Sequence, residues 1–469
     1  MEHRTKRNHS LMNLVTDFET MIEKNAMTYM DEKSFFQIIG FYEKQYLIDK
    51  ALEVVDFAIE QFSYRSEFLI HKAKLLIVLN KYKEAMYALD AAENIAPFEN
   101  EIALYRARAL SGLGDTTKAF EMLEAMKPYV SKSDLSDILV AESYIYEVQK
   151  SFDQMFMVLK EALELEPEHS ECLERIWLSV ELSRNYEESI VIHQALVNKK
   201  PYNAAAWYNL GHSFASLGEY EKAIDAIEYA FIIDKDMEVA YLDCADLCCQ
   251  IKNYDKALSI YEEANAFFGP ESELLVYIAE CQIHLNNFLS AKASLLTALS
   301  LDPYNDEIYF YLGECYVKEK NWHSAINAYI KAISIEDYRE EYHGSIAMTY
   351  IQLGRYDKAA EHLAMATEIA PEDPKFWFQH ACLLIKSKNY HGALDLLDEA
   401  EEESWDATLQ YARAACLNFL GKKKQALLIL DEVLLDSFEM HNALFEIDPQ
   451  LKFDKEILSI INYYEGEVG

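Results

Sequence analysis

A small residue returns along this chain at a fixed interval: Ala51, Ala85, Ala119, Met155, Ser189, Ala223, Ala257, Ala291, Ala325, Ala359, Ala393 and Ala426. Nine of the eleven intervals are 34 residues, one is 36 and the last is 33. A single globular core has no use for such regularity. The period predicts a stack of one repeated supersecondary element, stabilised by contacts between neighbours and presenting one long surface. The usual size prior would divide 469 residues into about three domains, but a stack grows without enlarging any one core.

The clearest repeat starts at Ala204. Trp207, Leu210, Gly211 and Phe214 follow the i, i+3, i+4, i+7 spacing of one helix face. Gly218 ends that helix, Tyr220 opens a second, and Ala223, Ile227 and Ala230 line the second helix in the same way. Gly211 and Ala223 remove side-chain bulk where two antiparallel helices would touch. The small site on the first helix recurs as Ala73, Ala107, Ser143, Ala245, Ala279, Gly313, Ala347, Ala381 and Ala414. An aromatic recurs after the turn as Tyr82, Phe152, Tyr186, Tyr220, Tyr254, Phe288, Trp322, Tyr356 and Tyr390, and is expected to wedge into the core.

These residues resemble the tetratricopeptide repeat family, in its bacterial, all-repeat cytosolic form, over nearly the whole chain. The family's W-x2-L-G-x2-Y, A-x3-F and closing alanine fall on Trp207, Leu210, Gly211, Phe214, Ala223, Ile227 and Ala230. Its closing proline falls on Pro97, Pro167, Pro201, Pro303 and Pro371. The resemblance implies an all-α fold, a superhelical solenoid of about twelve helix-turn-helix repeats with terminal capping helices. Repeats are expected to start at Glu32, Ser66, Asn100, Ser136, Ser170, Ala204, Glu238, Ser272, Asp306, Glu340, Pro374 and Ala407. The expected organisation is a tail and lead-in helix over 1–31, with the helix on 10–31; repeats one to three over 32–135; atypical repeats four and five over 136–203; repeats six to twelve over 204–440; and a capping helix and tail over 441–469, with the helix on 441–463. Around 127–185 the interval stretches, Pro128 interrupts, Met155 and Ser189 replace alanine, and Trp177 sits where a small residue is expected. Either a hinge with a wider helix crossing or simple compensated drift answers that pattern.

Charge narrows the function classes. With 43 Lys and Arg against 80 Asp and Glu, the net charge of −37 repels phosphate, and no basic stripe offers nucleic acid a footprint. Apolar residues at 51% are too many for a disordered acidic chain. No stretch reaches the roughly twenty apolar residues of a membrane span and no signal-peptide core is visible, so a cytoplasmic protein without membrane insertion is expected. The eight cysteines, with no C-x-x-C pair, read as free thiols.

In the resembled family the first helices line a concave groove that holds a partner peptide or helix. Mapped onto this sequence, the partner-binding positions are Tyr208, Asn209, His212, Leu242, Asp243, Asp246, Tyr277, Glu280, Phe310, Tyr311 and Glu314. Aromatics and carboxylates alternate there, so the expected partner is a protein or peptide carrying basic and apolar residues; the alternative is that these carboxylates merely belong to a solvated acidic surface. Nearer the N-terminus, His71, Lys74, Tyr105, Arg108 and Arg175 would form a secondary, basic stretch of groove. The basic clamp by which some family members hold chaperone tails is matched only at Asn209, so that mode is not expected.

No chemistry stands out. Cys244, Cys248 and Cys249 lie near Asp243 and Asp246, but Cys244 and Cys248 take packing positions, so no metal is expected. Gly112 opens GLGDTTKA, which lacks phosphate-loop spacing and reads as a turn. The sequence reading is a non-catalytic interaction scaffold or adaptor without cofactor. An accessory or regulatory subunit of an enzyme or assembly is the alternative, ahead of an enzyme or a peptide-sensing regulator.

Overall fold

The computed structural model describes residues 2–23 and 29–468, and among them it contains helices and no β-strand. Antiparallel helix pairs follow one another along the chain. Their first helices begin at Glu32, Ser66, Asn100, Ser170, Ala204, Glu238, Ser272, Asp306, Glu340, Pro374 and Ala407, where the period places them. The fourth begins earlier than Ser136, at Lys132, and runs 17 residues to Val148. Its start is set by a capping box, in which Ser131 accepts from the Asp134 N–H and the Asp134 side chain accepts from the Ser131 N–H. A 3-10 turn over Lys127–Tyr129, at Pro128, separates it from the preceding helix.

The chain divides into two compact bodies, Met1–Leu247 and Cys248–Gly469. The division falls inside Glu238–Gln250, the first helix of repeat seven, and outside the 127–185 stretch. Within the N-terminal body, one apolar cluster gathers Leu139, Met155, Leu159, Ile176 and Val180 with Leu210 and Ala226, and Trp177 packs against its edge. Repeats four to six thus share a continuous core.

All twelve residues of the 34-residue column are buried, Met155 and Ser189 included. The steric reason shows at Gly211, where a Cβ would run into the Ile227 side chain and stand 3.0 Å from the Ala223 carbonyl oxygen. The aromatics after the turn differ from expectation, because none of them is buried. Trp322 and most others are half-buried and Tyr220 and Tyr356 are exposed, since the first residue of a second helix sits at the mouth of the turn. The turn itself needs one left-handed residue in each repeat. Glycine supplies it at Gly114, Gly218, Gly354 and Gly421, whereas Tyr46, Asn80, Lys150, Arg184, Lys252, Asn286, Lys320 and Lys388 adopt it at a steric cost.

The ends depart from the sequence reading. The lead-in helix is Glu2–Glu23, earlier than the expected 10–31, and residues 24–28 lie outside the described ones. Val15, Phe18 and Met21 bury against Phe35, Ile38 and Ile39 of the first repeat. At the other end one capping helix was expected, yet Asn442–Ile447, a 3-10 segment Pro449–Phe453 and Lys455–Val468 stand in its place. Pro449 cannot continue a helix, and Asp448 before it is extended at φ −147 and caps the Gln450 N–H. Leu444, Leu451, Ile457 and Ile461 nevertheless join Tyr411, Leu430 and Leu434 in one cluster.

Two glycines give opposite expected outcomes. A Cβ at Gly313 would strike the ring of the fully buried Tyr329, so Gly313→Ala should destabilise the C-terminal body by about 1–3 kcal/mol despite alanine's better helix propensity. Gly40 has no neighbour within 4 Å of such a Cβ, so Gly40→Ala should stabilise by about 0.5–1 kcal/mol. Urea denaturation of both variants checks the pair; equal signs would refute the close-approach account.

Candidate functional site

In the N-terminal body the predicted groove residues form a hydrogen-bonded knot. The Tyr208 hydroxyl donates to Asp243 Oδ2 at 2.5 Å, and His212 Nε2 lies 3.1 Å from the same oxygen. His212 is itself held between rings, 4.4 Å from Tyr208 and 4.8 Å from Trp177. Burial pushes the Asp243 carboxyl up, but the bonds from His212 and Tyr208 outweigh it and leave it below the ordinary value. Leu242 is half-buried and Asp246 exposed. Asn209 is removed from the binding surface: it is buried and its Nδ2 donates to the Leu173 carbonyl at 2.8 Å.

The expected basic stretch is neutralised from within. His71 Nε2 and Lys74 Nζ lie 3.3 and 3.1 Å from Glu43 Oε1, and the hydrogen bond from His71 holds the Glu43 carboxyl down to about 2. Arg108 pairs with Glu171 at 2.8 Å, and Arg175 pairs with Glu147 at 2.7 Å and donates to Ser143 Oγ at 2.9 Å. Both guanidiniums lie over the Tyr144 ring, at 4.0 and 3.2 Å from its centroid. Tyr105, whose hydroxyl burial pushes up to about 12, packs 5.0 Å from Arg108. These cations are committed to carboxylates of the same body, so the stretch offers no basic face to a partner.

In the C-terminal body, Tyr277 donates to Glu273 at 2.7 Å and the Tyr311 hydroxyl bonds to Glu280. Phe310 packs 4.8 Å from the Tyr342 ring and 5.9 Å from Tyr329, and the Tyr329 hydroxyl donates to Glu314 Oε1 at 2.5 Å. Phe310 and Glu314 belong to an open cleft of about 450 Å³ that continues along the first helices of repeats ten and eleven. Its further lining includes Glu341, Met348, Phe376 and Gln379. The sequence reading stopped at repeat nine and missed these. Carrying the Tyr311 position forward by 34 gives Ser345 and then Gln379, and carrying Glu314 forward gives Met348, so the period itself was the signal. Gly344 shapes the floor, since a Cβ there would stand 2.5 Å from the Phe376 ring.

Among the described residues no group of three or more His, Cys, Asp or Glu side chains is placed to hold a metal ion, and Cys244 and Cys248 are fully buried. No helix among them is long and apolar enough to cross a membrane.

The family description Tetratricopeptide repeat matches residues 204–236 and 340–373, which are repeats six and ten in the register of the helix pairs. The chain contains tetratricopeptide repeats. It is 24% identical over 222 residues to BBSome complex member BBS4 of Bos taurus, a match covering 39% of this chain and 42% of that protein. It is 28% identical over 110 residues to Superkiller protein 3 of Schizosaccharomyces pombe, covering 24% of this chain and 8% of that one. The matches thus span less than half the length of these curated relatives. Among solved structures, the tetratricopeptide protein YrrB shares 19% identity, with 42% of this chain and 97% of that chain covered at a TM-score of 0.33. The Cut9-Hcn1 hetero-tetramer of the APC/C gives 14%, 92%, 95% and 0.39 for the same measures.

Proposed function

We propose that this chain is a non-catalytic scaffold that holds a segment of a partner protein on the first helices of its repeats. The observation that carries this reading is the cleft in the C-terminal body, where Phe310, Met348 and Phe376 provide an apolar floor beside Glu314 and Glu341. Such a lining favours a segment in which basic residues alternate with apolar ones. In the N-terminal body, Tyr208, His212, Leu242, Asp243 and Asp246 are proposed as additional contacts, with Asp243 kept ionised by its neighbours. Among the described residues the eight cysteines form no disulfide, which suits a reducing compartment and supports a cytoplasmic location. A second reading, an accessory subunit of a larger assembly, draws on the bovine relative, whose name makes it a member of a complex.

Display of random twelve-residue segments against the intact chain tests the scaffold. Selected segments should be rich in Lys or Arg next to apolar residues, and Glu314→Lys or Phe310→Asp should weaken them about tenfold or more. Selection of no segment, or binding indifferent to both substitutions in chains that keep their helical circular dichroism, would overturn the proposal.

A further inference from the structure

The cleft in the C-terminal body has a chemical demand more specific than its sign. Gln379 Oε1 is buried and has no hydrogen-bond partner. A buried acceptor left unpaired is costly, and an apolar side chain filling the cleft would leave it so. The Glu314 carboxylate, which lines the same cleft, accepts from Tyr329 through Oε1. Glu341, exposed and lining the same cleft, makes no ion pair among the described residues. Gln379, Glu314 and Glu341 thus line one space together with the aromatic residues Phe310, Trp322 and Phe376. The lining cation, Lys375, does not answer this demand, because its ammonium lies over the Phe376 ring, 5.0 Å from the centroid.

We infer that this cleft is an arginine pocket, in which a guanidinium from an extended partner segment lies against the aromatic walls and donates to Gln379, Glu314 and Glu341. The inference rests on the scaffold reading and names the residue it selects. A guanidinium carries five N–H donors in a planar fork, so it can meet separate acceptors while its face stacks on a ring. A lysine ammonium is a compact, strongly hydrated charge that loses more water on entry and does not stack. Anionic ligands are disfavoured by Glu314 and Glu341. The remaining space beside Met348 suits an apolar neighbour of the arginine.

The test uses the intact chain and a fluorescein-tagged peptide of sequence Ala-Leu-Ala-Leu-Arg-Leu-Ala-Leu, with otherwise identical lysine and citrulline peptides, followed by fluorescence polarisation. The arginine peptide should bind about tenfold or more tighter than either relative, since each charge-assisted bond lost is worth about that factor. Gln379→Leu and Glu314→Gln should shrink the arginine-to-lysine ratio to about twofold while circular dichroism stays helical. Equal affinity for the three peptides, no binding of any, or a ratio that both variants leave intact would overturn the pocket. Failure here is distinct from failure of the scaffold. Displayed segments that lose binding on Phe310→Asp yet show no preference for arginine would sink the pocket and leave the scaffold standing.

Discussion

Replacing Met155 by alanine is expected to lower the stability of the N-terminal body by about 2–5 kcal/mol, although it supplies the residue that ten of the eleven other positions in the column carry. A consensus argument gives the opposite sign. In the other repeats the alanine lets two helices approach closely, but repeat four is built around a larger side chain. Met155 is fully buried and shares one cluster with Leu139, Val140, Phe156 and Leu159. The flexible thioether chain fills space within that cluster which an alanine would leave empty. Truncation to alanine removes three heavy atoms from that space, and the cost depends on how far the helices can close over the cavity. Urea denaturation with hydrogen exchange of Phe152–Leu165 reads the effect locally, as a repeat array requires. An unchanged or raised stability would show that this pair can collapse to the approach seen around Gly211, and that the methionine is a tolerated drift.

The contrast between Met155 and Gly211 also marks what could be read in the sequence. Helix positions were legible because the period of 34 is set by the length of one helix pair, and the small residues report the steric contact directly. The start of repeat four departs from the period because the Ser131–Asp134 capping box sets it, a local signal carried by the S-x-x-D spacing of those two residues. Site residues were harder for a different reason. Asn209 and Asp243 lie on the helix face that periodicity selects, yet their partners, Leu173 and Tyr208, stand 36 and 35 residues away in the neighbouring repeat. The basic residues were misread in the same manner, with Lys74 and Arg175 taken up by Glu43 and Glu147 from the repeat before. Oppositely disposed polar residues about one period apart are thus the pattern to examine in such a stack.

His193 gives the second large effect, and its sign follows from burial. The imidazole is fully buried, with Nδ1 2.9 Å from the Ser189 carbonyl oxygen and 3.1 Å from Ser189 Oγ, which in turn lies 2.7 Å from Ser213 Oγ. Its Nε2 is buried without a partner, so a proton added there would bring an uncompensated charge into the core. Burial accordingly lowers its pKa from 6.5 to about 4. The unfolded chain then takes up the proton first as the pH falls. The stability conferred by the neutral ring is complete above about 6.5 and is lost progressively down to about 4. From pH 7 to pH 4 the loss attributable to this group is about 3 kcal/mol. The acidic surface changes its own charge over the same interval, so the comparison must be with His193→Leu, which keeps the apolar volume and leaves Ser189 bonded to Ser213. The opening free energy of Tyr186–Lys199, obtained from hydrogen exchange at each pH, should fall more steeply in the parent chain by that amount. Parallel profiles would mean that the folded protein accommodates the charged ring, and the desolvation argument would fail. In the C-terminal body, His343, His362 and His380 are also displaced downward by burial, so their substitution should flatten the acid limb there with the same sign.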